Sequence, residues 1–371
     1  MTSRRRPTVH DVAKLAGVSI ATVSFSFRRP DQVRPETRET VLQAARELGY
    51  IPSASARGLV RGKTGTLGLH SYEFLLERPL HEEATNPAPA PPVDIDRPLI
   101  PWEDIADAQR ADLRAYPLYV DEVQRGFELE ARRHERPVLL GRGDPSQGAI
   151  TETAGRVDGL AIFPGRSAAQ WLQGATLNMP VVLLSLPSGN DRYHHVLADN
   201  RGGMDQLVTH LVTDHGIGDL QFVGGTIAYD YQERFLGFQQ ALQKLGRPVP
   251  QKVCDDADLG QGPRFTGVLE LLRSHRLPQA LVCASDQLAL ELLDVLRQEG
   301  VSVPGDVVVT GFDGILAGAL GRPPLTTVRQ PMEAMGRVAA QLLMMEHDAD
   351  TPGGRTVELG TRLEIRASCG C

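Results

Sequence analysis

What most limits the folds open to this chain is a series of short apolar runs set between longer amphipathic stretches. The runs are Thr66 to Leu69, Pro137 to Leu140, Gly159 to Phe163, Pro180 to Leu184, Val196 to Ala198, Leu220 to Val223, Gln279 to Cys283 and Val307 to Gly311. Between them lie helical patterns such as Asp121 to His134, Gly203 to Val212, Glu233 to Leu245 and Gln287 to Glu299. Strands covered on both faces read as continuous apolar runs, and parallel neighbours need a helical crossover, so this alternation predicts doubly wound α/β structure. The stretch is too long for one small sheet, and two linked parallel-sheet lobes are expected.

The 371 residues allow two or three domains, and a hydrophobic share of 41% excludes wholesale disorder. No apolar run reaches the roughly 18 residues of a membrane helix. The basic start, Met1 to Pro7, lacks the apolar core of a secretory signal, so a cytoplasmic protein is expected. Four cysteines form neither a disulfide framework nor a recognisable zinc spacing. Cys369-Gly370-Cys371 could bind a metal or oxidise but reads rather as a frayed thiol tail, and His194-His195 reads as a loop pair rather than a metal site. Gly141 to Gly148 is glycine-rich but lacks the Lys-Ser/Thr of a phosphate loop, and Ser185 and Ser188 lack a nucleophile elbow. No catalytic, cofactor or metal site is expected.

Charge is uneven. Met1 to Lys63 carries twelve Lys/Arg against five Asp/Glu, a net of +7, whereas the remainder carries 27 against 41, a net of −14. A cationic head on an anionic body is what a chain needs when one end meets a polyanion. The head is also patterned. Thr8 and Asp11 form a capping-box-like start, and Val9, Val12, Ala13 and Ala16 repeat at helical spacing. Gly17 permits a tight turn, and Ser19 is placed to cap a second helix from Ile20 to about Arg28. Pro35 opens a third, with Val41, Leu42, Ala45 and Leu48 on one face and Gly49 as its stop. Three short helices with a glycine turn between the first two predict a DNA-binding helix-turn-helix. Ile51 to Arg61 follows, too short for a stable isolated helix and burdened by Gly58, so it is poised to be ordered by a partner.

Thr8 to Leu69 resembles the amino-terminal module of LacI-type transcriptional regulators. The resemblance rests on Asp11-Val12-Ala13, Ala16-Gly17-Val18-Ser19, Thr22-Val23-Ser24, Thr37-Arg38, Leu48-Gly49-Tyr50-Ile51-Pro52, Ala56-Arg57-Gly58-Leu59 and Thr66-Leu67-Gly68-Leu69. It implies a helix-turn-helix over residues 8–52 and a hinge over 53–64. DNA contacts would come from Thr8, Ser19, Ile20, Ala21, Thr22, Ser24, Phe25 and Arg28 in the first, and from Ser53, Ala56, Arg57 and Leu59 in the second. Leu59 would wedge between base steps in the minor groove. Family members usually carry Arg where Phe25 stands and often Asn where Ser53 stands. Phe25 either reads the groove or packs inward. Apolar Ile20 and Ala21 touch thymine methyls but make no bidentate base contacts, which predicts an atypical half-site.

The later residues resemble the same family through Asp199-Asn200-Arg201-Gly202-Gly203, Phe222-Val223-Gly224-Gly225, Glu233-Arg234, Gly237-Phe238, Ala284-Ser285-Asp286, Gly311-Phe312-Asp313, Pro324 to Gln330 and Met335-Gly336. They imply a two-lobed core like periplasmic sugar-binding proteins, one lobe from 65–214 and 328–350, the other from 215–327 and 351–368. Crossings are expected near Asp214-His215, Thr327-Val328 and Asp350-Thr351. By family position Arg234, Ser285, Asp313 and Leu259 would line an effector cleft, while Asp286 is better placed to cap the helix beginning near Leu288. Relatives often place Asn at Ser285, a second Asp at Gly314 and a stacking aromatic near Leu259.

The implied protein is a repressor. It pairs as a homodimer on a near-palindromic double-stranded operator and answers to a small effector, a carbohydrate or derivative. The Pro-rich, acidic insertion at 75–117, within a stretch from Ser71 to Ala115 holding four Arg and ten acids, leaves open control by a protein partner. A sugar-binding receptor without a DNA role is the other alternative.

Overall fold

A computed structural model describes residues 7–50, 63–71, 99, 118–142, 147–163, 177, 179–189, 191–225, 228–255, 265–345 and 354–371. It divides into two units, residues 1–65 and 66–371.

The first unit is all α: α1 (Val9–Ala16), α2 (Ile20–Arg28) and α3 (Pro35–Leu48). Asp11 accepts both the backbone N–H and the hydroxyl of Thr8 at 2.7 Å, fixing the start of α1. Gly17, at φ 67°, ends that helix, and Val18 N–H returns to the Ala13 carbonyl at 3.1 Å. Ser19 Oγ accepts Thr22 N–H at 3.0 Å and caps α2. Val12, Ala13, Val23, Val41, Ala44 and Ala45 form the core, with Phe27 and Tyr50 packed against it.

The second unit runs β1 (Leu67–Ser71), α4 (Leu118–Arg133), β2 (Val138–Arg142), α5 (Gln147–Ala154), β3 (Gly159–Phe163), β4 (Val181–Leu184) and β5 (His194–Ala198). It continues α6 (Asn200–Thr213), β6 (Leu220–Val223), α7 (Tyr229–Lys244), α8 (Thr266–Arg273), β7 (Ala280–Cys283), α9 (Asp286–Gln298), β8 (Val308–Asp313) and α10 (Leu316–Leu320). It ends with β9 (Thr326–Arg329), α11 (Met332–Met344), β10 (Thr356–Leu359) and β11 (Arg362–Glu364). One sheet has the order β10-β5-β4-β3-β1-β2, parallel throughout. The other has the order β11-β9-β8-β7-β6, parallel except for antiparallel β11. The expected doubly wound, two-lobed core is present.

The lobe boundaries differ from those expected. Met204, Leu207, Val208 and Leu211 of α6 pack in the core of the second lobe, so the first crossing lies between Ala198 and Asn200 rather than at 214. The second follows Arg329, because β9 stays in the second sheet and Met332 and Met335 enter the first core. The third lies between Leu359 and Arg362, because β10 pairs with β5. An amphipathic helix does not announce which sheet it covers, and β10 and β11 are short edge strands without a continuous apolar run.

Two other expectations are corrected. His194 and His195 lie inside buried strand β5, not in a loop. His195 is held by the Leu186 carbonyl at 2.8 Å and by Asp191 at 3.0 Å. Cys369 is buried, not frayed. The Ser368 hydroxyl beside it donates to the Val309 carbonyl at 2.6 Å and accepts Thr326 N–H at 2.9 Å. The turn of β11 back along β9 carries the final residues onto the second sheet, a pairing with no local sequence signal.

The first lobe is closed by α4 crossing α11 at two glycines. A Cβ on Gly126 would sit 1.9 Å from the Glu333 carbonyl oxygen, and one on Gly336 would sit 1.9 Å from that of Val123. Only hydrogen at both positions lets the helix backbones touch.

Candidate DNA-reading surface and effector cleft

Helix α2 splits cleanly into two faces. Val23 and Ser26 are buried and Phe27 packs against Tyr50, whereas Ile20, Ala21 and Phe25 are exposed, the first and last at 43%. Ser24 lies on the same outward stripe and is half-buried. Ser19 and Thr22 hydroxyls join at 2.9 Å at its N-terminal end. Phe25 therefore does not pack inward within this unit. The face is apolar at three positions and offers van der Waals contact more than paired hydrogen bonds. Thr8 stands at the N-terminus of α1, with its N–H and hydroxyl both given to Asp11. The side chain of Arg28 and all of Ser53, Ala56, Arg57 and Leu59 lie outside the described residues.

In the core, Arg234 of α7 is buried and held from several sides. Its Nε donates to Asn200 Oδ1 at 2.9 Å and its Nη1 to the Ala284 carbonyl at 2.6 Å. The guanidinium lies 3.9 Å from the centre of the Phe312 ring. Nη1 also pairs with Asp313 Oδ1 at 3.3 Å. Asp313 ends β8 with φ 124°, and Gln330 Nε2, just past β9, donates to it at 2.7 Å. Gln330 Oε1 is buried with no partner among the described residues. Asn200 also donates to Asp230 at 2.9 Å, one turn of α7 before Arg234. Charges and amides from α6, α7, β8 and the second crossing thus converge beyond the carboxyl ends of the strands, where open α/β sheets bind ligands.

The first lobe contributes Tyr119, at the start of α4. Its hydroxyl meets Ser185 Oγ, just past β4, at 3.0 Å. Burial, then the charges of Asp230 and Asp313, push its phenol up. Glu122, one turn further on, pairs with both terminal nitrogens of Arg329, one of them at 3.1 Å, and Arg329 also donates to the Gly314 carbonyl at 2.6 Å. That bridge ties α4 to the second crossing. A Cβ on Gly314, at φ 74°, would sit 2.4 Å from Arg329 Cδ, so the second Asp that relatives often carry there does not fit this arrangement.

Of the expected effector residues, Arg234 and Asp313 come together. Ser285 lies beside them, but its hydroxyl is already engaged. It accepts Leu288 N–H at 3.3 Å as the cap of α9, and Tyr231 donates to it at 3.2 Å. Asp286 is therefore not the cap. It accepts Ile315 N–H at 2.8 Å and the Thr327 hydroxyl. Burial, then the charge of Asp313, raises the Asp286 carboxyl; burial also raises Asp313, against the pull of Arg234 and Gln330. Leu259 lies outside the described residues.

Residues 8–53 match the description "Bacterial regulatory proteins, lacI family", and residues 208–369 match "Periplasmic binding protein-like domain". The chain is 28% identical to catabolite control protein A of Priestia megaterium over 369 residues, covering 97% of this chain and 98% of that one. The chain belongs to the LacI family of transcriptional regulators. Two solved structures agree. The transcriptional regulator CelR–cellobiose complex matches with TM-score 0.60 and 27% identity, covering 98% of this chain and 100% of that one. The lac repressor dimer bound to operator and anti-inducer matches in fold, with TM-score 0.73 and 21% identity over 98% of this chain and 99% of that one. This LacI-family chain is thus a DNA-binding regulator rather than an enzyme, and among the described residues no helix is long and apolar enough to cross a membrane.

Sequence reasoning assigned no role to Asn200, Asp230, Tyr231, Gln330 or Tyr119. Asn200 and Gln330 sit inside family tokens already quoted, and Asp230 and Tyr231 stand four and three residues before Arg234, on its face of α7. Tyr119 carried no signal, because only the tertiary fold brings α4 to the cluster.

Proposed function

We propose that this regulator is a cytoplasmic repressor that binds a near-palindromic operator as a homodimer and changes its grip when a carbohydrate enters the cleft. The Arg234–Asp313 pair, with Gln330 Oε1 unpartnered beside it, carries the reading. A carboxylate and an amide oxygen accept, and a guanidinium and a phenol donate, which is the mix that vicinal hydroxyls satisfy with charge-assisted bonds. The relative crystallised with cellobiose supports that ligand class. Ser285 and Leu259 are kept as further contacts. The cluster draws on both lobes and sits beside a crossing, so a ligand bridging them biases the lobe angle. It can shift DNA affinity only by its differential affinity for the two arrangements, about 1–3 kcal/mol in typical allosteric proteins.

On the DNA side, Ile20, Ala21 and Phe25 press on thymine methyls while Thr8, Ser19, Thr22, Ser24 and Arg28 hold the backbone and flanking edges. A single small module reads too few base pairs to be selective, so two copies on two half-sites are required. Ser53, Ala56, Arg57 and Leu59 of the hinge supply the minor-groove contacts. Site selection from random duplexes, followed by thymine-to-deoxyuridine replacement in the selected half-site, tests this reading. Affinity falls when the methyls are removed; undiminished affinity contradicts it. A thermal-shift screen of carbohydrates tests the effector class in the same preparation.

A further inference from the structure

The second lobe gathers four metal-ligating side chains far from the effector cluster and unrelated to DNA reading. His210 lies in the last turn of α6, His215 in the following loop, and Cys369 and Cys371 just past β11. Their ligand atoms all lie within 4.8 Å of one another. His210 Nε2 is 3.2 Å from His215 Nε2, 3.6 Å from Cys369 Sγ and 3.8 Å from Cys371 Sγ. His215 Nε2 is 3.2 Å from Cys371 Sγ. Ligands at about 2.0–2.3 Å from a tetrahedral ion stand about 3.3–3.8 Å apart; the four separations just given lie in or within about 0.1 Å of that range, and the other two pairs lie within 4.8 Å.

We propose that His210, His215, Cys369 and Cys371 form a structural site for a zinc-class divalent cation. The proton inventory supports it. His210 Nδ1 bonds Asp214 Oδ2 at 2.8 Å, which places the ring proton on Nδ1 and turns the Nε2 lone pair to the centre. A carboxylate behind a ligating imidazole is the usual outer partner of a metal-bound histidine. Around the centre, two ring nitrogens and two sulfurs then face one another. One or two protons satisfy some of those pairs, whereas a single cation satisfies all four groups.

Two thiolates and two imidazoles select zinc over magnesium or calcium, which take oxygen ligands. Four protein ligands leave no open position, so the site holds structure rather than performing catalysis. It clips the residues after β11 to the end of α6, whose other end carries Asn200 in the effector cluster. His210 and His215 have the four-residue gap of zinc sites, but the partner cysteines lie some 150 residues on in sequence, which is why the pattern is silent in the sequence.

The test uses the full chain, reduced, stripped with a chelator and titrated at neutral pH with Co²⁺ and then, in the same sample, with Zn²⁺. One ion binds per chain, Co²⁺ shows tetrahedral absorption with thiolate charge transfer, and Zn²⁺ displaces it and raises the thermal transition. Cys371→Ser and His215→Ala, at exposed and half-buried positions, fold normally and lose at least about 100-fold in affinity, and Asp214→Asn loses roughly 10–100-fold. Binding without thiolate charge transfer, or equal binding by wild type and Cys371→Ser, overturns the proposal. So does a thermal transition that Zn²⁺ leaves unmoved.

Discussion

The outward face of α2, proposed to read DNA, and the Arg234–Asp313 cluster, proposed to hold the effector, differ sharply in burial. Ile20 and Phe25 are 43% exposed, while Arg234 and Asp313 are 3% and 8% exposed. On α2 the residues that hold the fold and those proposed to read DNA are different: Val23 and Ser26 are buried, Ile20 and Phe25 exposed. In the cluster the proposed ligand-binding residues are also the ones the fold depends on, because a buried charge must be partnered. Specificity can therefore drift on α2 at little cost in stability, whereas each change in the cluster is felt by the fold.

Four substitutions probe that contrast. The largest effect is expected where the core has no slack. Gly336→Val drives a side chain into the Val123 carbonyl and costs about 4 kcal/mol or more. Hydrogen exchange should lose protection in α4 and α11 and keep it in α1 to α3; uniform loss would mean the two units are not separable.

Arg234→Ala comes next. It leaves Asp313 buried without its guanidinium and costs about 3 kcal/mol, the lower end for a broken buried pair because the carboxyl can take up a proton. Chemical denaturation measures this, and the same variant should lose the carbohydrate-induced thermal shift. A variant as stable as wild type would show the pair to be incidental.

Asp286→Asn sharpens the point through pH. Asp286 and Asp313 have folded-state values above their unfolded ones, so they contribute stability at acid pH that is lost as pH rises toward neutrality. Asn keeps the acceptor for Ile315 N–H and removes one charge. The variant should gain about 1 kcal/mol at neutral pH, gain nothing in acid, and show a flatter stability–pH curve. A curve parallel to wild type would contradict the raised values.

The smallest effect on stability, within about 0.5 kcal/mol, is expected for Phe25→Arg, which should nevertheless change the selected half-site. An unchanged selection profile would remove Phe25 from the reading face.

What the sequence revealed follows the same divide. The helix-turn-helix was readable almost to the residue because caps, turns and periodicity are local: Thr8, Gly17, Ser19, Pro35 and Gly49 each mark a boundary. Gly159 to Phe163 and Leu220 to Val223 were readable because strands buried on both faces are continuous apolar runs. The lobe crossings and the roles of Asp286, Gln330 and Tyr119 were not, since they depend on which sheet a helix or edge strand joins. Arg234 and Asp313, which the structure pairs, were singled out by resemblance rather than by spacing.

Operator binding by the full chain, with and without a carbohydrate that shifts its thermal transition, tests the whole account most directly. The selected duplex should be bound about 10³-fold or more tightly than random competitor, and the carbohydrate should change that affinity by roughly 5–150-fold. Equal affinity for selected and random duplexes, in the presence and absence of the carbohydrate, would contradict it.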